Sequence, residues 1–160
     1  MKLTVKNKFL SLGGGSKVLD ETGAEKFKVK GKIFSIRRKK KICSLDGKLL
    51  FIVKNKFFNW WTHTSYILDA DKKLVASVKN RGFKGGYDVA SSTDEISIDG
   101  WGMTGYTVYK NGKQVGLVNP KIMSMTDTYE VNIDDAEDPA FVVAVVIAID
   151  NISDKASKSR

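Results

Sequence analysis

The chain has 160 residues, 42% hydrophobic and 28% charged, a size suited to one domain that buries roughly two-thirds of its unfolded surface. Its single cysteine, Cys43, excludes an internal disulfide and a thiolate metal cluster and points to a reducing, cytoplasmic setting. The net charge of +9 is uneven: residues 1–61 hold 16 Lys/Arg against 4 Asp/Glu (+12), and residues 62–160 hold 11 against 14 (−3). A cationic half favours an anionic partner, either a phospholipid surface or nucleic acid. The plain alternative is that the lysines solubilise exposed strands and block edge pairing.

The first segment, Met1 to Lys8, alternates charged and apolar residues and lacks the unbroken apolar stretch of a signal peptide. Within it begins a phrase that recurs. Val5-Lys6-Asn7-Lys8-Phe9-Leu10-Ser11-Leu12 returns as Val29-Lys30-Gly31-Lys32-Ile33-Phe34-Ser35-Ile36 and as Val53-Lys54-Asn55-Lys56-Phe57-Phe58-Asn59-Trp60. Weaker copies start at Val78 and Val118, and the first four copies start 24, 24 and 25 residues apart, the period of a repeated supersecondary unit.

Each unit reads as a hairpin. Gly13-Gly14-Gly15-Ser16-Lys17 lacks the GxxxxGK[ST] spacing and a following helix, so it is a turn and not a phosphate loop. Asp20-Glu21-Thr22-Gly23, Asp46-Gly47, Asp69-Ala70-Asp71 and Asn111-Gly112 supply further turns, with glycine providing the positive φ that tight hairpins need. Between turns the period is two: in Lys26–Ile33 the lysines share one face and the apolar residues and Gly31 the other. Twelve strands are expected, near residues 2–8, 16–19, 25–33, 40–45, 48–57, 64–69, 73–80, 86–90, 95–99, 105–110, 114–119 and 128–133.

The last element differs. Asp138 is a suitable N-cap, Pro139 fits a first helical turn, and Asp134, Asp135 and Glu137 favour the positive end of a helix dipole. Ten consecutive apolar residues, Ala140–Ile149, leave no polar face, so the helix must be buried. A membrane span needs about 20 apolar residues, and Asp150 and Asn151 end this one early. It is therefore placed at the centre of the protein, within a domain of residues 1–152 followed by a flexible tail, 153–160. Twelve strands leave room for a helix about 10 Å wide, which gives a mainly β fold: a closed antiparallel barrel around a buried C-terminal helix. Inward-facing Gly31 is expected to let the helix pass closely.

The repeated phrase, Thr128-Tyr129-Glu130-Val131-Asn132-Ile133 before an acidic turn, and the closing Ala148-Ile149-Asp150-Asn151-Ile152 together resemble the LURP-one-related family over residues 2–152. The resemblance implies a twelve-stranded barrel around a central C-terminal helix, shared with the Tubby C-terminal domain and phospholipid scramblases. Tubby domains bind phosphoinositides and scramblases act on bilayers, although shared fold does not transfer function. The basic loop Arg37–Lys41 and the pair Trp60-Trp61 depart from the pattern.

Catalytic chemistry has little support, and no cofactor or metal is expected. Cys43 reads as a buried filler, and it and His63 are the only residues of their types. The acidic group Asp134–Asp138 has no EF-hand spacing, and helix capping accounts for it, with calcium as the alternative. The most suggestive cluster is Arg37, Arg38, Lys39, Lys40 and Lys41, beside Lys28, Lys30 and Lys32 on one strand face. Near an anionic membrane each such cation contributes about 1 kcal/mol, and Trp60 and Trp61 suit the headgroup level. The resulting expectation is a monomeric, cytoplasmic binding module that docks peripherally on anionic lipid. A protein-interaction scaffold is the alternative, and nucleic acid ranks lower because the strand aromatics should face inward.

Overall fold

The computed structural model describes residues 1–7, 15–31, 36–58, 62–82, 85–101, 104–121 and 128–158; the side chains of residues 7 and 154–158 fall outside that description. The strands are β1 (Lys2–Asn7), β2 (Ser16–Leu19), β3 (Glu25–Gly31), β4 (Lys40–Cys43), β5 (Leu49–Asn55) and β6 (Thr64–Asp69). They continue as β7 (Leu74–Asn80), β8 (Tyr87–Ser91), β9 (Ile96–Trp101), β10 (Gly105–Lys110), β11 (Lys113–Pro120) and β12 (Thr128–Ile133), followed by α1 (Pro139–Lys158). Each strand lies within two residues of the span expected from its alternation and turns.

The strands form one antiparallel sheet in the order β8-β7-β6-β5-β4-β3-β2-β1-β12-β11-β10-β9, so β1 and β12 pair and the meander curls into a barrel. Alternation decides which side chains enter. Val18, Phe27, Val29, Ile42, Val53, Ile67, Val78, Val108, Val118 and Val131 are buried inward, while Lys17, Lys30, Lys41 and Lys79, which alternate with them, face out. The turns act as the residue types require: Asp20 accepts from the backbone N–H groups of Thr22 (2.9 Å) and Ala24 (3.1 Å). Asn111 and Gly112, at φ 52° and 75°, make the two-residue link between β10 and β11.

The expected antiparallel barrel is present and nearly closed, with β1 and β12 paired. β8 and β9 flank a seam with no ladder among the described residues. The link 92–95 is bonded on both sides: the Asn111 N–H donates to the Glu95 carbonyl at 2.7 Å and the Glu95 N–H to Asn111 Oδ1 at 2.9 Å. The Thr93 and Asp94 N–H groups turn back to Ser91 Oγ at the end of β8, at 3.5 and 3.4 Å. The seam is bridged by side chains, with the Tyr87 and Tyr106 rings 6.4 Å apart and the Trp101 ring lying over Gly85.

The helix fills the barrel. Residues 140–152 are all buried, and Asp138 Oδ1 accepts from the Ala140 N–H at 2.9 Å as the N-cap. Phe141 anchors this end against Phe51 (centroids 6.2 Å) and beneath the Lys110 ammonium, which also reaches Glu137 at 3.2 Å. α1 continues to Lys158, past the expected end at 152, because no proline or glycine interrupts it there. No helix among the described residues is long and apolar enough to cross a membrane.

The helix passes closely at Gly116, where an added Cβ would lie 2.8 Å from Val142 Cγ1. Both residues are buried, so relief requires the helix or β11 to move. Gly116→Ala is expected to cost about 1–3 kcal/mol in urea unfolding; unchanged stability would contradict the close contact of helix and wall.

Candidate functional site

The barrel has two unlike ends. At one, β2–β3, β4–β5, β6–β7, β8–β9 and β10–β11 are joined by tight turns and the helix begins. At the other, the links are longer, 8–15, 32–39, 56–63, 81–86 and 121–127 among them, and the helix reaches Asp150 and Asn151. Charge divides along the same axis. Twelve of the 18 acidic residues lie in or beside the tight turns: Asp20, Glu21, Glu25, Asp46, Asp69, Asp71, Asp94, Glu95, Asp134, Asp135, Glu137 and Asp138. The cationic excess of the N-terminal half therefore lies toward the long-loop end.

There the outward lysines oppose one another. Register places Lys6 opposite Lys17, Lys17 opposite Lys28, and Lys30 opposite Lys41. Directly opposed side chains have Cβ atoms about 5 Å apart, and like charges so placed are destabilising. Lys6, Lys17, Lys30 and Lys41 are exposed, lie within two residues of the strand ends, and make no ion pair with any described residue. Lys54 on β5 extends the rim: burial first, then the charges of Arg37 and Lys39, hold its ammonium below the ordinary lysine range.

Inside this end lies a polar cluster. Asp150, 3% exposed, accepts from Tyr129 Oη at 3.1 Å and pairs with Lys40 Nζ at 3.5 Å. Asn151 Nδ2 donates to the Arg38 carbonyl (3.1 Å), and Asn55 Nδ2 donates to the Asn151 carbonyl (3.2 Å). Tyr106, enclosed beside Tyr129, Tyr87 and Asp150, has its hydroxyl pushed well above the ordinary tyrosine range, chiefly by burial. These contacts fasten the helix's last buried turn to β4, β5 and β12. Asp150→Ala, which leaves Lys40 without its partner, is expected to cost about 3 kcal/mol in urea unfolding. Lys40→Met with Asp150→Leu should recover much of that, and a single variant as stable as the parent would contradict the clasp.

The expected site residues thus separate. Lys30 and Lys41 share the outward rim, and Lys39 is exposed beside it. Lys28 turns toward the tight-turn end, donating to the Leu45 carbonyl at 2.6 Å. Lys40 belongs to the interior: it occupies the inward register opposite Gly31 and Val53 and serves Asp150. Arg37 and Arg38 are half-buried, with Arg37 Nε donating to the Asn55 carbonyl at 3.2 Å. Lys32, Trp60 and Trp61 lie outside the described residues. Lys6, Lys17 and Lys54 were not singled out by sequence because their neighbours are set by register; for Lys6 and Lys54 the outward phase in the repeated phrase was the available signal.

The remaining candidates resolve simply. Cys43 is buried at the tight-turn end and His63 at the long-loop end, separated along the barrel by about eight strand residues, roughly 26 Å. The acidic turn is engaged by other groups. Asp134 binds Lys113 at 3.1 Å, Asp135 the Met1 ammonium at 2.7 Å, and Glu137 Lys110, while Asp138 caps the helix.

Comparison with known proteins bears on the fold. The X-ray structure of a protein from Arabidopsis thaliana is similar to this chain, with a TM-score of 0.64 and 18% sequence identity over 95% of this chain and 91% of that one. Comparison with curated protein sequences gives no match. The family model for LURP-one-related proteins matches residues 1–150, all twelve strands and the helix through Asp150. The chain therefore belongs to the LURP-one-related family.

Proposed function

We propose that this protein is a non-enzymatic binding module that docks on anionic phospholipid surfaces through the cationic rim of its barrel. The observation that carries this reading is the two pairs of opposed lysines at this end, Lys6–Lys17 and Lys30–Lys41, whose repulsion an anionic partner would relieve. A lipid surface supplies many anionic headgroups at once, and juxtaposed cations each add about 1 kcal/mol of attraction. Single-stranded nucleic acid fits less well, since Phe27 on these strands is buried inward, and the exposed Phe57 and Phe58 meet edge to face as one tip and do not offer successive platforms for bases. A protein-interaction scaffold is the alternative.

Co-sedimentation with neutral and anionic liposomes over a salt series, with single-stranded nucleic acid as competitor, tests the proposal. Binding to anionic vesicles only, weakening as salt rises, is expected. Equal behaviour toward neutral and anionic vesicles would overturn it.

A further inference from the structure

We infer that the barrel docks end-on, with Ile36, Phe57 and Phe58 entering the interfacial layer of an anionic phospholipid bilayer. This orientation rests on the lipid reading above, and adds an apolar contact and a direction to it.

Ile36 is 80% exposed, Phe58 71% and Phe57 51%, so a β-branched aliphatic and two aromatic side chains stand in water at the long-loop end. They are neighbours by construction. The Asn55 N–H donates to the Arg37 carbonyl at 2.7 Å, and Arg37 Nε donates back to the Asn55 carbonyl at 3.2 Å. This reciprocal pair holds the 36–37 turn beside the chain leaving β5. The Lys56 N–H donates to the Thr64 carbonyl at 2.9 Å, which keeps that chain on the barrel wall as it reaches Phe57. Phe57 and Phe58 then meet edge to face, centroids 4.7 Å apart at 85°, forming one raised aromatic tip.

The surroundings select a charged bilayer over another apolar surface. Arg37, Lys39, Lys54 and Lys56 flank the tip, and crowding by Arg37 and Lys39 accompanies the lowered Lys54. Rim lysines one or two residues back from the strand ends lie roughly 3–7 Å behind those ends. That offset matches the depth of about 5–10 Å to which amphipathic elements enter the boundary between headgroups and acyl chains. Apolar groups would thus reach the upper acyl region while the lysines remain among the phosphates. The acidic tight-turn end points away from the membrane in this pose, so the barrel's axial charge asymmetry favours it. On the side pose, by contrast, the exposed tip would remain in water without a role.

The test uses the full chain and vesicles of phosphatidylcholine with phosphatidylserine. Phe57→Ser with Phe58→Ser is expected to weaken binding on the order of tenfold or more, while the salt dependence persists because the cations remain. Leu45→Ser, at the opposite end and 47% exposed, should bind as the parent does. An environment-sensitive dye on Phe58→Cys should shift to the blue on these vesicles. If the parent binds but the double serine variant binds equally and the dye still reports water, end-on insertion is overturned and the lipid reading survives. If the parent does not bind, both fall.

Discussion

Val145→Asp should leave no cooperatively folded protein. Val145 is 1% exposed in the middle of α1, enclosed on every side by the barrel's inner wall. Among the described residues, the cations along the helix are already engaged about a turn or more away: Lys40 serves Asp150, and Lys110 serves Glu137 above Phe141. The variant must bury an unpaired charge or protonate it in an apolar interior, at a cost of several kcal/mol. A domain of this kind has about 5–15 kcal/mol in total, and the helix cannot withdraw without emptying the core. Val145→Ala, costing about 2 kcal/mol, should still fold. Thermal melting followed by circular dichroism separates the two, and a Val145→Asp protein with a near-parental transition would contradict the central position of α1.

Replacing Lys6, Lys17, Lys30 and Lys41 together with Gln should act in opposite directions on binding and stability. Loss of four surface cations removes about 4 kcal/mol of attraction to an anionic membrane, roughly a thousandfold in affinity. The same change removes all three directly opposed like-charge pairs, so the melting temperature should hold or rise. Lys40→Gln should show the converse pattern, with lower stability and little change in binding, because its ammonium faces Asp150. A quadruple variant that melts lower and binds as well as the parent would assign these lysines to the fold and not to a partner.

Much of the fold was legible because its signals are local. Period-two alternation with lysine on one face fixed which residues face inward, and Asn111-Gly112 and Asp46-Gly47 fixed the turns. Asp138-Pro139 ahead of an unbroken apolar run marked a buried helix. What escaped depends on distant residues. The bonds between Glu95 and Asn111 beside the β8–β9 seam join residues sixteen apart, which no short window of sequence contains. Gly116 has no mark in the sequence that sets it apart, and only the path of α1 shows that it meets a helix side chain. In the candidate site, five consecutive cations read as one patch, yet strand alternation turns Lys40 inward and Lys41 outward. Asp150 and Asn151 read as the end of an apolar segment; their partners, Lys40, Tyr129, Arg38 and Asn55, come from three other parts of the chain.

The most direct test of the central claim is the fraction of protein that sediments with phosphatidylserine-containing liposomes as salt is raised, compared with neutral liposomes. Binding confined to the anionic vesicles, falling steadily with salt and lost in the quadruple glutamine variant, is the predicted result. Equal sedimentation with both vesicle types, or none with either, would contradict docking through the cationic rim.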